Sequence, residues 1–441
     1  MLGDASTGEM IKRARTARGW SQERLAVELG KVEGRGEKGP GRGQVYRWEK
    51  QGRAPKYWWP HLCEVLEFGS SDGAPVSQVD VPEGGAGDTV SSVLALGRSE
   101  VLRREFMAAS SGYALAALGL PDLDGITRRV AANSGAPVRV GRGEVLAVRQ
   151  MVKSLSDAAS ELGGGHARHL AVHYLAESVA PWLDGVWSEF TGRELFAGAA
   201  QLTHLIGWMA QDEGNHGVAQ KYYAHSYRLA AEAGDAELAA TALRGLAVQA
   251  VDLGYRVAAV RIAEECVDQA KRLDDPKALA YYETTLADAA AQDGDRTTAT
   301  RFLTASQRHI ERSSPVPGDS WASHFSIGRW AHHSGMILAR LGDFGAARDH
   351  LQMALDVHGL DRRRSHAIVL ADLGTVQVRQ ENYEAALSTW SDFLALAEGV
   401  RSVKVDDAVT DMRARLARVG TIHGAAELDE RAACFLSGRS G

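Results

Sequence analysis

Cysteine is scarce in this 441-residue chain: there are three, Cys63, Cys266 and Cys434, far apart and never in a C-x-x-C pair. An odd, scattered set excludes a disulfide framework and a cysteine-built metal cage, and it suits a reducing cytoplasm. Long apolar runs are also missing. The most apolar stretch, A-A-S-S-G-Y-A-L-A-A-L-G-L-P, follows Arg103 and Arg104 and reaches about 15 residues, short of the ~20 that span a bilayer. Lying so far from the N-terminus, it reads as a buried connecting helix rather than an export signal, and no membrane partner is expected. No catalytic constellation appears either. His166, His169 and His173 share one helix face, but no carboxylate or cysteine joins them locally, so no metal site is expected. The Gly-rich R-G-E-K-G-P-G-R-G at 35–43 lacks the spacing of a phosphate loop. Neither a cofactor nor an enzymatic activity is expected.

What is present is an uneven charge distribution and abundant helical periodicity. Residues 1–62 hold 13 Lys/Arg against 7 Asp/Glu, a net +6; the whole chain is −6, which leaves −12 for residues 63–441. A basic end on an acidic body places the polyanion-binding surface at the N-terminus, because phosphate attraction dominates non-specific affinity for nucleic acid. Residues 69–91, rich in Gly, Ser, Asp and Pro, form a linker by composition.

Within the basic end, R-G-Q-V-Y-R-W-E-K-Q-G-R-A-P at 42–55 reads as a short amphipathic helix. Val45, Trp48 and Tyr46 face inward; Arg42, Gln44 and Arg47 project outward, and Gly52 and Pro55 end the helix. Upstream, residues 21–30 form a second short helix, with Ser21 as N-cap and Gly30 as terminator. Residues 10–18 make a basic first helix with Ile11, Ala14 and Ala17 on its buried side. Trp58 and Trp59 close the small core, a dimer or DNA-backbone contact being the alternative. W-S-Q-E-R-L-A at 20–26 and V-Y-R-W-E-K-Q-G-R-A-P at 45–55 resemble the helix-turn-helix of the phage-repressor-like (XRE/Cro) class. The resemblance implies double-stranded DNA as partner, base or backbone contacts from Gln22, Arg42, Gln44 and Arg47, and a structural role for Glu49. This sequence departs from the family in its long Gly-rich insertion at 31–41, whose Lys31, Arg35 and Lys38 are candidate phosphate contacts, a solvated loop being the alternative reading.

From Glu144 onward an internal repeat appears. Gly214, Gly254, Gly294 and Gly342, then Glu381 and Gly420 in the same register, are each followed five residues later by Ala. A small residue lies seven before each turn (Gly207, Ala247, Ala287, Gly335, Gly374), and a filler lies nine after it (Tyr223, Ala263, Leu303, Leu351, Trp390). One helical hairpin per unit follows: small residues let paired helices approach, and the filler occupies the gap. L-G-T-V-Q-V-R-Q-E-N-Y-E-A-A-L-S-T-W at 373–390 resembles the tetratricopeptide repeat, although the longer period demands longer helices or loops. Arg413 replaces the small residue of the last unit, which reads as a cap.

The expected fold is therefore all-α: a helix-turn-helix domain (1–68), a linker (69–91), a connecting helix and loop (92–143), a degenerate repeat or cap (144–199), and an α-solenoid of tetratricopeptide-like hairpins (200–441). Its concave face should present His204, Trp208, Gln211, Asp212, Arg244, Asp252, Asp288, Gln292, His332, Met336 and Arg340, of which His204, Trp208, Gln211, Arg244, Asp288, Gln292, His332 and Arg340 are the candidate ligand-binding residues. The mixture supplies stacking area with orienting polar groups. The combination of modules resembles bacterial signal-responsive regulators, which implies a peptide or small-molecule ligand in the groove and a homodimer. The alternative is an adaptor whose groove binds a partner protein.

Overall fold

The computed structural model describes residues 11–12, 14–16, 20–32, 40–51, 62 and 65–66, then 89–97 and 138–438 except 274, 315–319, 358–361 and 419–421. The chain divides into two compact units, Met1–Val81 and Pro82–Gly441. No helix among the described residues is long and apolar enough to cross a membrane.

In the first unit, helix α1 (Gln22–Val32) starts where expected, with Ser21 Oγ accepting from the Arg24 N–H at 3.1 Å. It does not stop at Gly30 but runs on to Val32, because Lys31 and Val32 continue the turn; the insertion is shortened accordingly. Helix α2 (Arg42–Gln51) carries the outward Arg42, Gln44 and Arg47. Its Val45 is fully buried against Ile11, Leu25, Leu29, Leu62 and Leu66, with Ala14, Trp20 and Trp48 packed on that core. Tyr46 corrects the expectation: it is 51% exposed, on the outer face with Arg42 rather than inside. Arg35, Lys38, Ala17, Gly52, Pro55, Trp58 and Trp59 lie outside the described residues.

Among its described residues the second unit is nearly all helical. Its first described residues, 89–97, form a helix that takes in the last three residues of the expected linker; Val90 and Val93 bury into the solenoid's first core. The expected connecting helix after Arg103 lies outside the described residues. Helix α3 (Arg142–Leu162) and α4 (Gly164–Tyr174) follow, the latter running through a π-turn at Leu175–Val179 into α5 (Ala180–Leu183). An isolated parallel bridge joins Arg139 and Val186.

Six hairpins come next: α6 (Glu189–Asp212) with α7 (His216–Ala233), α8 (Ala236–Asp252) with α9 (Arg256–Ala270), α10 (Pro276–Asp293) with α11 (Arg296–Arg312), α12 (Ile327–Arg340) with α13 (Phe344–Asp356), α14 (Arg363–Arg379) with α15 (Tyr383–Ala397), and α16 (Val403–Leu416) with α17 (Ala425–Ser437). The first begins at Glu189, so the boundary drawn at residue 200 falls inside its helix: the apolar face of Leu195, Phe196 and Ala199 already packs on α3.

Each of the first five hairpins turns in the same way. The carbonyl four residues before the turn residue accepts from the residue after it, as in Asn215 N to Ala210 O, Tyr255 N to Ala250 O and Asn382 N to Gln377 O, at 2.8–2.9 Å. This closure requires a left-handed residue, supplied by Gly214, Gly254, Gly294 and Gly342 and, in the fifth hairpin, by Glu381 at φ 61°. The small-against-large pairing is also met. A Cβ on Gly207 would lie 2.9 Å from the Tyr223 ring and one on Gly335 2.8 Å from Leu351 Cγ, while at Gly374 it would run into the Trp390 indole. In the terminal unit Arg413 instead reaches Asp429 at 2.8 Å.

Gly374→Ala should cost about 1–3 kcal/mol, since an extra methyl in a packed core forces the indole off its site. Glu381→Gly should gain roughly 1 kcal/mol by removing a left-handed side-chain penalty. Urea unfolding of both variants checks the pair; the same sign of change for each would contradict this account of the turns and crossings.

Candidate functional site

The superhelix curls until its fifth and sixth hairpins meet its first helices, and one buried carboxylate joins them. Asp212, at the end of α6, accepts from the Arg364 guanidinium, from the Gly164 N–H at 2.9 Å and from the Ser402 hydroxyl at 2.8 Å. Its side chain is 1% exposed and that of Arg364 9%. Arg364 also lies over the Trp208 ring, 4.9 Å from its centre. Around this point Arg401 N donates to Leu162 O at 2.7 Å, Arg362 pairs with Asp157 at 2.7 Å and Lys404 with Asp252 at 3.1 Å. Gly163, at φ 92°, admits the Arg401 backbone where a side chain would collide with it.

Inside the curl lies a cavity of about 260 Å³. Its wall comes from α3, from both helices of the first hairpin, from the first helix of each of the second to sixth hairpins and from the segment between α11 and α12. Of the groove residues read from sequence, His204, Trp208, Gln211, Asp212, Arg244 and His332 line it together. Asp288, Gln292, Arg340 and Met336 do not, and Arg340 is spent on an ion pair with Asp288. Several lining residues escape a periodicity argument. Trp321 and Phe325 arrive from the inter-hairpin segment, Arg364 and Lys404 from the hairpins that close the curl, and Tyr223, expected as a filler, presents its hydroxyl as well. The segment explains the long fourth period: it folds inward, with Trp321 edge-on to His204 at 5.0 Å and Phe325 against Tyr281 at 5.0 Å.

Polar groups of the wall fall into paired and unpaired sets. Gln211 accepts from the Tyr223 hydroxyl at 2.8 Å and donates to Asp252 at 2.7 Å, and His332 bonds Asp372 at 2.8 Å. Arg244 lies 3.9 Å above the centre of the Tyr281 ring, and its buried Nε makes no hydrogen bond. Arg329 lines the cavity with its side chain exposed; the protein packed around it, opposed by Tyr281 and reinforced by Arg362, Arg244 and Arg364, holds its pKa below the ordinary value. His204 is 5% exposed with Nδ1 unpartnered, and burial followed by the Arg244 charge depresses it to about 3, so the imidazole is neutral. Among the described residues no group of three His, Cys, Asp or Glu could hold a metal ion.

Glu237, at the start of α8, anchors the inward segment by accepting from the Ala322 N–H at 2.8 Å. Burial first, then Asp235 and Asp275, raise its carboxyl to about 7 against the pull of Ala322 and Ser320.

In the first unit, Glu49 of α2 accepts from Arg15 Nε at 2.6 Å and from Gln22 Nε2 at 2.6 Å. Gln22 is thus held toward Glu49, at the junction of the helices. Arg42, Gln44 and Arg47 stay exposed; Arg47 Nε reaches only its own helix, at Gly43 O.

Two predictions follow from the closure and its anchor. Asp212→Ala should cost about 3–5 kcal/mol, as an uncompensated buried cation remains, whereas Lys404→Ala, at a half-exposed pair, should cost at most ~1 kcal/mol in urea unfolding. A carboxyl raised in the folded state contributes stability below its ordinary pKa of 4.5 and loses it as pH rises through about 7. Glu237→Gln should therefore flatten the fall in stability across that window, and an unchanged slope would remove Glu237 as its cause.

The tetratricopeptide repeat model matches residues 326–397, the fourth and fifth hairpins. No curated protein sequence matches the chain. Among solved structures, the apo form of the quorum sensor NprR from B. thuringiensis aligns with 80% of this chain and 97% of its own, at 9% identity and a TM-score of 0.37. Residues 326–397 are thus similar to tetratricopeptide repeats, and the three hairpins before them repeat the same turn.

Proposed function

We propose that this chain is a sequence-specific DNA-binding regulator. Its N-terminal unit reads DNA through α2, and its repeat unit binds a peptide or small-molecule signal and mediates dimerisation. The observation that carries the reading is the split character of α2: Val45 is fully buried, while Arg42, Gln44, Tyr46 and Arg47 all face solvent on a basic module. Arginine and glutamine are the side chains that pair bidentately with guanine and adenine edges. The Arg15–Glu49–Gln22 cluster supports the reading from behind, since it pins α2 to α1 and to the first helix, and so fixes the angle at which the outer face would meet a groove. In this scheme Gln22 positions Glu49. The protein works in the cytoplasm, as no enzyme and with no cofactor, and a dimer sets its half-sites about 34 Å apart or a multiple of it.

A ligand acts by preferring one curvature of the solenoid. The cavity wall includes Arg364 and Asp212, so an occupant touches the groups that close the curl.

Binding of the full-length protein to DNA from upstream of its own gene, beside a scrambled fragment and at two salt concentrations, tests the reading. Tight binding that depends on sequence and weakens with salt is expected. Arg47→Ala should lose about 1–3 kcal/mol and relax the preference at one base pair. Equal, weak binding to both fragments with and without cell extract would favour an adaptor.

A further inference from the structure

The cavity's charge narrows what it takes. Four cations line it, Arg244, Arg329, Arg364 and Lys404, against a single lining carboxylate, Asp212. Asp212 belongs to Arg364, and Lys404 has Asp252 just outside the lining. Among the described residues, Arg244 and Arg329 make no ion pair with a carboxylate. This occurs inside a unit whose overall balance is strongly acidic, so the general field does not explain it. Leaving the half-buried Arg244 guanidinium, with its buried Nε unpartnered, without an ion pair is costly, and an anion held between it and the exposed Arg329 removes that cost.

Aromatic rings make up much of the rest of the wall. Tyr281 supports Arg244 from beneath, Trp208 supports Arg364, and Trp321 and Phe325 cover the remaining side. Arginines braced on rings are pre-organised for a planar or tetrahedral oxyanion. His204, neutral and with one buried nitrogen unpartnered, offers a further hydrogen bond. At about 260 Å³ the space lies just below the ~300–1,000 Å³ of sites for drug-sized ligands. It holds a ring with one acidic group and is too small for a peptide of several residues.

We infer that this cavity is a recognition site for a small aromatic acid, with Arg244 and Arg329 gripping its carboxylate or phosphate and the Trp208, Trp321 and Phe325 rings enclosing its body. The inference deepens the signal-binding reading and rests on the groove being the ligand site; it does not depend on DNA. It also sets peptide signals aside for this cavity.

The test titrates the full-length protein with benzoate, phenyl phosphate and the neutral benzamide, followed by calorimetry and by tryptophan fluorescence. At least one anion should bind at least tenfold more tightly than benzamide, and the better of the two assigns the acid as carboxylate or phosphate. Arg329→Gln, at a water-facing position, and Arg244→Gln should each weaken anion binding at least tenfold. Arg348→Gln, on the outer α13 and paired with Asp349, should bind like the parent. If Arg244→Gln melts early, Arg329→Gln decides alone. Benzamide binding as tightly as the anions, no saturation by any probe, or full anion affinity in Arg329→Gln would each overturn the assignment. DNA binding measured on the same samples separates the two readings: loss of DNA binding with intact anion selectivity removes the regulator and leaves the site.

Discussion

A buried carboxylate governs the second unit. A solenoid of hairpins contacts only its neighbours and has no inherent reason to return on itself. Here Asp212 collects a guanidinium from the fifth hairpin, a hydroxyl from the start of the sixth and a backbone amide from the entry helix. A carboxylate removed from water tolerates this position only if its lone pairs are filled, and the three donors come from three parts of the chain. The curl is held at the point where ion pairing is least screened, and the outer pairs, Arg362 with Asp157 and Lys404 with Asp252, follow the geometry it sets.

The interior is formed by that closure. The concave helices contribute a wall, but a wall alone is an open groove. The α11–α12 segment turns Trp321 and Phe325 into it, anchored by Glu237, and the closing hairpins add Arg364 and Lys404 on the far side. Trp321 packs against both of the solenoid's first two apolar cores. An aromatic lid resting on two cores has little freedom, so the cavity is pre-shaped, and its unpaired arginines meet a ligand without reorganising.

The repeats themselves are governed by close approach. Gly207, Gly335 and Gly374 leave room for Tyr223, Leu351 and Trp390, and the left-handed turn residue reverses the chain with the same hydrogen bond each time. Where Glu381 stands in place of glycine, the hairpin still forms, because the interlocked Trp390 and Gly374 over-determine the turn. A tolerated exception of this kind is visible from sequence only because the register on either side is intact.

By itself the sequence determined the hairpins, their turns and crossings, the outward face of α2 and the inward direction of His204, Trp208, Gln211, Arg244 and His332. All of these are consequences of period and residue size, which act over a few turns. It misjudged Tyr46 and the end of α1, where one turn of helix leaves little period to read. What tertiary structure alone decided is which inward residues share a cavity and which are spent. Arg340 is neutralised by Asp288, fifty-two residues earlier, and Gln22 is drawn to Glu49, while among the described residues Arg244 and Arg329 make no ion pair. Arg364 reaches Asp212 from 152 residues away. The sum of curvatures over five hairpins determines such a meeting, and no local pattern encodes that sum.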